Sequence, residues 1–173
     1  MEPREPVVRR AARADADGIA RVHVAAWRET YAGLLPQEMI DGQTLEERAA
    51  LWRSLVEPGG PTVLVVESEG EIVGFGSAGP AREPALGTSG EVTAIYLLDP
   101  AKRRGAGRLL MRRLFDALAA DGHETAGLWV LASNVPAIAF YEAMGGTRGD
   151  AVKDAATPAL LHVSYRFDLR RSD

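Results

Sequence analysis

The sequence predicts a mixed α/β or α+β domain. Apolar runs of strand length alternate with amphipathic helical stretches, and a glycine-rich turn joins a strand to a helix in mid-chain. The predicted order is strand, two helices, three strands, helix, strand, helix, and then one or two strands. No internal repeat or low-complexity tract interrupts it.

Val7-Val8 begins the first strand, and Ala14-Asp15-Ala16-Asp17 opens a helix with acids in its first turn. That helix runs to about Arg28, with Ile19, Val22, His23 and Ala26 on one face. Ala20, Val24, Trp27 and Tyr31 form a second stripe. GLLPQEMIDGQ reads as a loop or short turn, and Thr44-Leu45-Glu46-Glu47 has capping-box spacing at the head of a second helix. After the break at Glu57-Pro58-Gly59-Gly60-Pro61, Val63–Val66 and Glu71–Phe75 are strands of a hairpin turning at Glu67-Ser68-Glu69-Gly70. Gly79 to Gly90 reads as a mobile loop. A central strand follows from Glu91 to Leu98, then a helix from about Gly105 to Ala120 stopped by Gly122. Leu128–Leu131 is a buried strand, and Asn134-Val135-Pro136 starts a helix that ends at Gly145-Gly146. In the tail, Leu161, Val163, Tyr165 and Phe167 alternate with polar residues, as in a half-buried strand.

A chain of 173 residues, 46% hydrophobic and 25% charged, fits a single domain spanning 1–173 with a sizeable core. It contains no cysteine, which excludes disulfides, thiolate metal sites and a cysteine nucleophile. MEPREPVVRR lacks the apolar core of a signal peptide, and no stretch approaches the ~18 residues that span a bilayer. The expectation is a soluble cytoplasmic protein without a membrane partner. A net charge of −4 argues against nucleic acid as a partner. Yet Lys102, Arg103, Arg104, Arg108, Arg112 and Arg113 lie close together, with no acid until Asp116. An acidic chain with one basic patch suggests a small polyanionic ligand.

The patch overlaps the turn Lys102-Arg103-Arg104-Gly105-Ala106-Gly107. N–H groups at a helix start lack intrahelical partners and sit at the positive end of the helix dipole, so a phosphate is welcome there. A P-loop requires Lys-Ser/Thr after its last glycine, but Gly107 is followed by Arg108-Leu109. A dinucleotide turn requires a third glycine where Leu110 stands, and belongs near the first strand of its unit. The third reading is a coenzyme A diphosphate turn, Q/R-x-x-G-x-G/A, which matches at both glycines and departs only at Lys102.

EVTAIYLLDPAKRRGAGRLLMRRL and LWVLASNVPAIAFYEAMGG resemble the two central motifs of the GNAT superfamily of acyl-CoA-dependent N-acyltransferases. Ile95-Tyr96-Leu97, Pro100, the glycine turn, Asn134, Ala137, Phe140-Tyr141-Glu142 and Gly145 keep the family's spacing. AARADADGIARVHVAAWRETYAGLLP is similar to the first helix and substrate-side loop of small bacterial members. The resemblance implies a mixed, mostly antiparallel sheet of about seven strands, splayed at the central strand and flanked by about four helices.

It also implies acetyl-CoA as cosubstrate and an amine-bearing small molecule as acceptor. The pantetheine would pair with backbone around Ile95, Tyr96 and Leu97, and the diphosphate would take N–H bonds from Arg103, Arg104, Gly105, Ala106, Gly107 and Arg108, beside Lys102. Asn134, as helix N-cap, and Ala137 would meet the coenzyme. Tyr141 stands at the family's general-acid position, although a Phe-Tyr pair is elsewhere an aromatic anchor. Glu91 stands where many relatives carry a base, and Thr93, two residues on, shares its face. The Leu97 N–H is the expected oxyanion donor. Trp27 and Tyr31 resemble acceptor-pocket residues, with core packing as the other reading. His23 reads as a satisfied core histidine, and Trp52 and Trp129 as core. His123 and His162 have no partners at metal-ligand spacing, so no metal is expected.

Without a cysteine to carry an acyl group, transfer would be direct within a ternary complex. Acetylation of a protein or peptide is the runner-up, and a coenzyme-binding sensor without catalysis the alternative of a different class. Homodimerisation is expected by analogy, the alternating last strand pairing or packing across a two-fold.

Overall fold

The computed structural model describes residues 5–170. Its elements are β1 (Val7–Arg10), α1 (Ala16–Tyr31), α2 (Gln37–Asp41), α3 (Leu45–Leu55), β2 (Thr62–Ser68), β3 (Glu71–Pro80), β4 (Gly90–Leu97), α4 (Ala106–Ala120), β5 (Thr125–Leu131), α5 (Val135–Ala143), β6 (Thr147–Lys153) and β7 (Leu161–Asp168). The strands are hydrogen-bonded in the order β1-β2-β3-β4-β5-β7-β6. β4 and β5 are parallel, whereas β1–β2, β2–β3, β5–β7 and β6–β7 are antiparallel. This is the predicted fold class, with five helices among the described residues instead of four. The addition is α2, read from sequence as a loop or short turn. Pro36 presets the chain for a helical turn, the N–H groups of Met39 and Ile40 close on its carbonyl, and Ile40 is buried.

The residues gather into two compact units. One comprises the chain up to Ala78 together with Ala94–Leu114, and the other Gly79–Thr93 with the chain from Phe115 on.

In the first unit β2 lies between β1 and β3, in register from Val7↔Glu67 to Arg10↔Leu64 on one side and from Thr62↔Ala78 to Ser68↔Glu71 on the other. The β2–β3 hairpin turns at Glu69 (φ 53°) and Gly70 (φ 83°), the paired left-handed residues that suit a two-residue turn to strand twist. α1 buries Ala16, Ile19, Val22 and Ala26 against Trp52 of α3, Val63 and Val65 of β2, and Ile72 and Phe75 of β3. The predicted cap of α3 is present: the Thr44 hydroxyl accepts from the Glu47 N–H at 3.3 Å. Two glycines on β3 set how closely its neighbours approach. A Cβ at Gly74 would lie 2.3 Å from Leu97 Cδ2, and one at Gly76 would lie 2.7 Å from Leu114 Cδ1 and 3.2 Å from the Ala94 carbonyl.

In the second unit β5 lies between β4 and β7. The parallel β4–β5 ladder holds the pairs Gly90↔Ala126 and Glu91↔Gly127 among the described residues. The β5–β7 ladder runs from Thr125↔Asp168 to Leu131↔His162. Val163, Tyr165 and Phe167 are buried as their alternation predicts, while Leu161 is exposed and Ser164 buried. β7 is flanked by β5 and β6 and has no open edge, which corrects the expectation that it could pair with a second copy. Nor is Gly79–Gly90 wholly irregular: β3 extends to Pro80, and a 3₁₀ turn at Pro84–Leu86 buries Leu86. α5 ends where predicted, with Gly145 left-handed at φ 90°.

Filling the gap at Gly76 tests the packing of the first unit. Gly76→Ala is expected to destabilise the protein by about 1–3 kcal/mol, the cost of overpacking against Leu114 and the Ala94 backbone. Urea unfolding measures it, and wild-type stability would show that Leu114 yields freely.

Candidate functional site

The basic turn belongs to the first unit. β4 hands over to a 3₁₀ turn, Asp99–Ala101, tied to α1 by the Asp99 N–H donating to Glu29 Oε2 at 3.0 Å. Two residues of the turn then adopt left-handed backbone, Arg103 at φ 63° and Gly105 at φ 79°. For an arginine this is strained by roughly 1–2 kcal/mol. Left-handed residues in a turn aim successive N–H groups into one concavity, a shape that binds anions. A Cβ at Gly105 would meet nothing within 4 Å, so the approach to the backbone is open. Leu109 N–H donates to the Gly105 carbonyl at 3.0 Å, and the N–H groups ahead of Leu109 have no helical carbonyl behind them. The first turn of α4 contains no acid. Geometry, open backbone and charge thus fit a diphosphate.

The turn's side chains divide their work. Lys102 Nζ pairs with Asp99 Oδ1 at 2.5 Å, which holds the Asp99 carboxyl below its ordinary range. Arg103, Arg104 and Arg108 are exposed. Arg104 helps line a shallow cavity of about 300 Å³ with Glu5, Pro6, Ser68, Val73, Pro100 and Ala101. Ile95, Tyr96 and Leu97 stand half-buried on β4.

The same unit holds an aromatic cluster centred on His23. His23, Trp27 and Tyr31 follow one another at four-residue spacing along α1, and Trp52, Phe75 and Tyr96 come from α3, β3 and β4. His23 stacks on Tyr96 at 5.2 Å between ring centroids and meets Trp27, Trp52 and Phe75 at 5.5–6.2 Å. Trp27 and Tyr31 lie 4.5 Å apart. The Trp52 indole N–H donates to His23 Nδ1 at 2.9 Å. Burial, and then the charge of Arg48, push the His23 pKa down to about 4. The ring is therefore neutral near pH 7, with its proton on Nε2. This agrees with the sequence reading of a satisfied core histidine. Burial raises the Tyr31 pKa, and a hydrogen bond with Tyr96 opposes the rise. Two buried donors of this unit, Trp27 Nε1 and Arg48 Nε, have no hydrogen-bond partner among the described residues.

The other predicted residues lie in the second unit. Glu91 is 2% exposed near the start of β4, and its carboxylate accepts from Arg82 Nε at 2.8 Å, Nη2 at 3.1 Å and the backbone N–H at 3.3 Å. Thr93 is half-buried two residues on. Asn134 is buried and caps α5, its Oδ1 accepting from the Ala137 N–H at 3.3 Å. Tyr141 is 8% exposed, between the rings of Phe140 and Tyr165 at 5.5 and 6.1 Å. The Tyr165 hydroxyl donates to Glu142 Oε1 at 2.8 Å, and burial followed by that carboxylate raises the phenol's pKa. Trp129, expected in the core, is half-buried.

The structure thus gathers Trp27, Tyr31 and Tyr96 into one cluster, and joins β4 to the basic turn within one unit. Two arginines escaped the sequence reading. Arg82 sits in a segment read as loop, and nothing local marks its carboxylate. Arg48 carried one usable signal: it precedes Trp52 by four residues and so shares its helix face. Among the described residues, no three His, Asp or Glu side chains converge to hold a metal ion, and no helix is long and apolar enough to cross a membrane.

Comparison with known proteins bears on this arrangement. The profile of the acetyltransferase (GNAT) family matches residues 20–146. An uncharacterized N-acetyltransferase of Bacillus subtilis, YuaI, is 37% identical over 142 residues, covering 82% of this chain and 80% of its own. Among solved structures, an N-acetyltransferase from Staphylococcus aureus Mu50 superposes with a TM-score of 0.75 at 22% identity, covering 96% of this chain and 100% of that one. The PaiA N-acetyltransferase of Thermoplasma acidophilum, solved in complex with coenzyme A, gives 0.75 at 17% identity over 95% of this chain and 100% of that one.

His23 makes stability pH-dependent. Its pKa is about 4 in the fold against an ordinary 6.5, so the unfolded chain binds more protons between those values. This stabilisation is complete above about pH 6.5 and is lost as pH falls towards 4, by an amount of order 3 kcal/mol. His23→Gln, which keeps an acceptor for Trp52, should flatten the loss in urea unfolding across that window. Equal slopes for both proteins would show that His23 titrates normally.

Proposed function

The chain belongs to the acetyltransferase (GNAT) family, and from that premise we propose that it moves an acetyl group from acetyl-CoA to the primary amine of a small molecule. The observation that carries the donor half is the basic turn, shaped by Arg103 and Gly105 and free of acids at the start of α4. Its N–H groups from Arg103 to Arg108 hold the diphosphate, with the neighbouring basic side chains towards the remaining phosphate. The β4 backbone at Ile95 and Leu97 pairs with the pantetheine as an added strand would. Asn134 and Ala137 meet the coenzyme at the start of α5.

An alkyl amine is mostly protonated near pH 7 and must lose a proton before it attacks. Glu91 receives that proton through a water positioned by Thr93. Arg82 supports the assignment in one respect, because its three donors fix the orientation of the carboxylate. The Leu97 N–H faces the oxyanion of the tetrahedral stage, and the Tyr141 hydroxyl returns a proton to the departing sulfur. With no cysteine in the chain, attack is direct. Trp27 and Tyr31 line the acceptor side. The protein works in the cytoplasm as a homodimer, and its partner copy meets an edge strand such as β6, all seven of whose residues are exposed.

Thiol release from acetyl-CoA across a panel of amines tests the reading. Tyr141→Phe should lower kcat by about 10²–10⁴-fold with little change in coenzyme binding. Glu91→Gln should remove the acid limb of the pH–rate profile. No acceleration by any amine would overturn the small-molecule acceptor, and an unchanged acid limb would move the base elsewhere. Sedimentation velocity reads the dimer, and a monomer at working concentration would overturn it.

A further inference from the structure

Arg48 stands one helical turn before Trp52 on α3, and its guanidinium Nε is closed to solvent. A guanidinium does not lose its proton in a protein, and burying part of it without a partner is unfavourable. The other part-buried arginines have carboxylates: Arg9 pairs with Asp15 and Glu67, and Arg53 with Asp17. Arg48 Nε is buried with no hydrogen-bond partner. Its own helix offers no carboxylate, since positions three and four residues away hold Leu45, Leu51, Thr44 and Trp52. Glu46 and Glu47 are exposed and point along other directions of α3.

A second donor stands beside the same histidine. Trp27 lies 6.2 Å from His23 by ring centroids, and its indole Nε1 is also buried and unpartnered. His23, coupled electrostatically to Arg48, is neutral and brings no negative charge. Two donors without acceptors among the described residues thus stand one helical turn from the Trp52–His23 bond, Arg48 on α3 and Trp27 on α1, and one of them carries a permanent positive charge. Such a place repels an ammonium and attracts an oxyanion, while the rings around it suit a flat apolar body.

We propose that Arg48 and the Trp27 indole N–H bind an oxyanion, a carboxylate or a phosphate, carried by the acceptor at a position remote from its amine. This rests on the acetyl-transfer reading above for the acceptor, but not for the binding itself. The acceptor class is therefore an amine that also bears an acid group, and Arg48 is its specificity determinant.

Binding without turnover tests it. Phenylacetate, benzylphosphonate and the neutral isostere phenylacetamide are titrated into the coenzyme-free protein, with tryptophan fluorescence and calorimetry as readouts. Phenylacetate or benzylphosphonate should bind about tenfold or more tightly than the amide, as a charge-assisted hydrogen bond requires. The tighter of the two identifies the acid group. Arg48→Gln should abolish the preference, Arg48→Lys should retain part of it, and Trp27→Phe should weaken anion binding without affecting the amide. Thermal midpoints verify that each variant is folded, and the wild-type comparison needs no variant. Equal binding of anion and amide, absence of binding by all three probes, or an unchanged preference in Arg48→Gln would overturn the proposal. If no amine accelerates thiol release while the anion preference holds, the acetyl-transfer reading fails and the anion site stands.

Discussion

One buried hydrogen bond, from the Trp52 indole to His23 Nδ1, anchors the packing of the first unit. It spans 29 residues and fastens α3 to α1 with a directional contact inside an otherwise apolar core. Burial makes it matter. An indole N–H left without an acceptor there forfeits solvation, so Trp52 and His23 fix each other's position. His23 in turn forms the floor on which Tyr96 of β4 stacks and against which Trp27 and Phe75 pack. One residue of β4 is therefore held by a contact made on two helices. The same arrangement keeps the imidazole uncharged and leaves Arg48 the dominant charge beside it.

Sequence alone conveyed much of the fold because its signals are local. Apolar periodicity in α1, the capping spacing at Thr44, the Glu69-Gly70 turn and the glycine after α5 all depend on residues within a few positions of one another. Each recurs in the structure close to its expected place. The missed elements depend on distant partners. α2 is one turn long, and its burial of Ile40 comes from packing that its own sequence does not encode. The interior place of β7 is likewise a matter of topology: alternation marks a half-buried strand and says nothing about its two edges.

The candidate site divides along the same line. Glycines and basic residues of the turn are contiguous, so a candidate phosphate cradle stands out in the sequence itself. The left-handed backbone of Arg103 was not, because arginine carries no preference for that conformation. Charge pairing was the least legible layer. Nothing near Glu91 in sequence announces that Arg82 will take both its oxygens, and nothing near Arg48 announces that no carboxylate will come. Ion pairs are decided by which loops meet, and partners nine or fifty residues apart leave no periodic trace.

Arg103 has a consequence for how tightly the turn can hold an anion. A loop that must rearrange to admit its ligand loses affinity in proportion to the scarcity of the competent shape. In this chain the left-handed conformation is part of the fold, against the residue's own preference. The strain of roughly 1–2 kcal/mol falls on folding. Conformational preorganisation of this kind raises affinity without adding a single contact. A glycine at 103 would relieve the strain and stabilise the fold, yet it would also release the turn to sample other shapes. Stability and ligand affinity are thus set against each other at one backbone torsion.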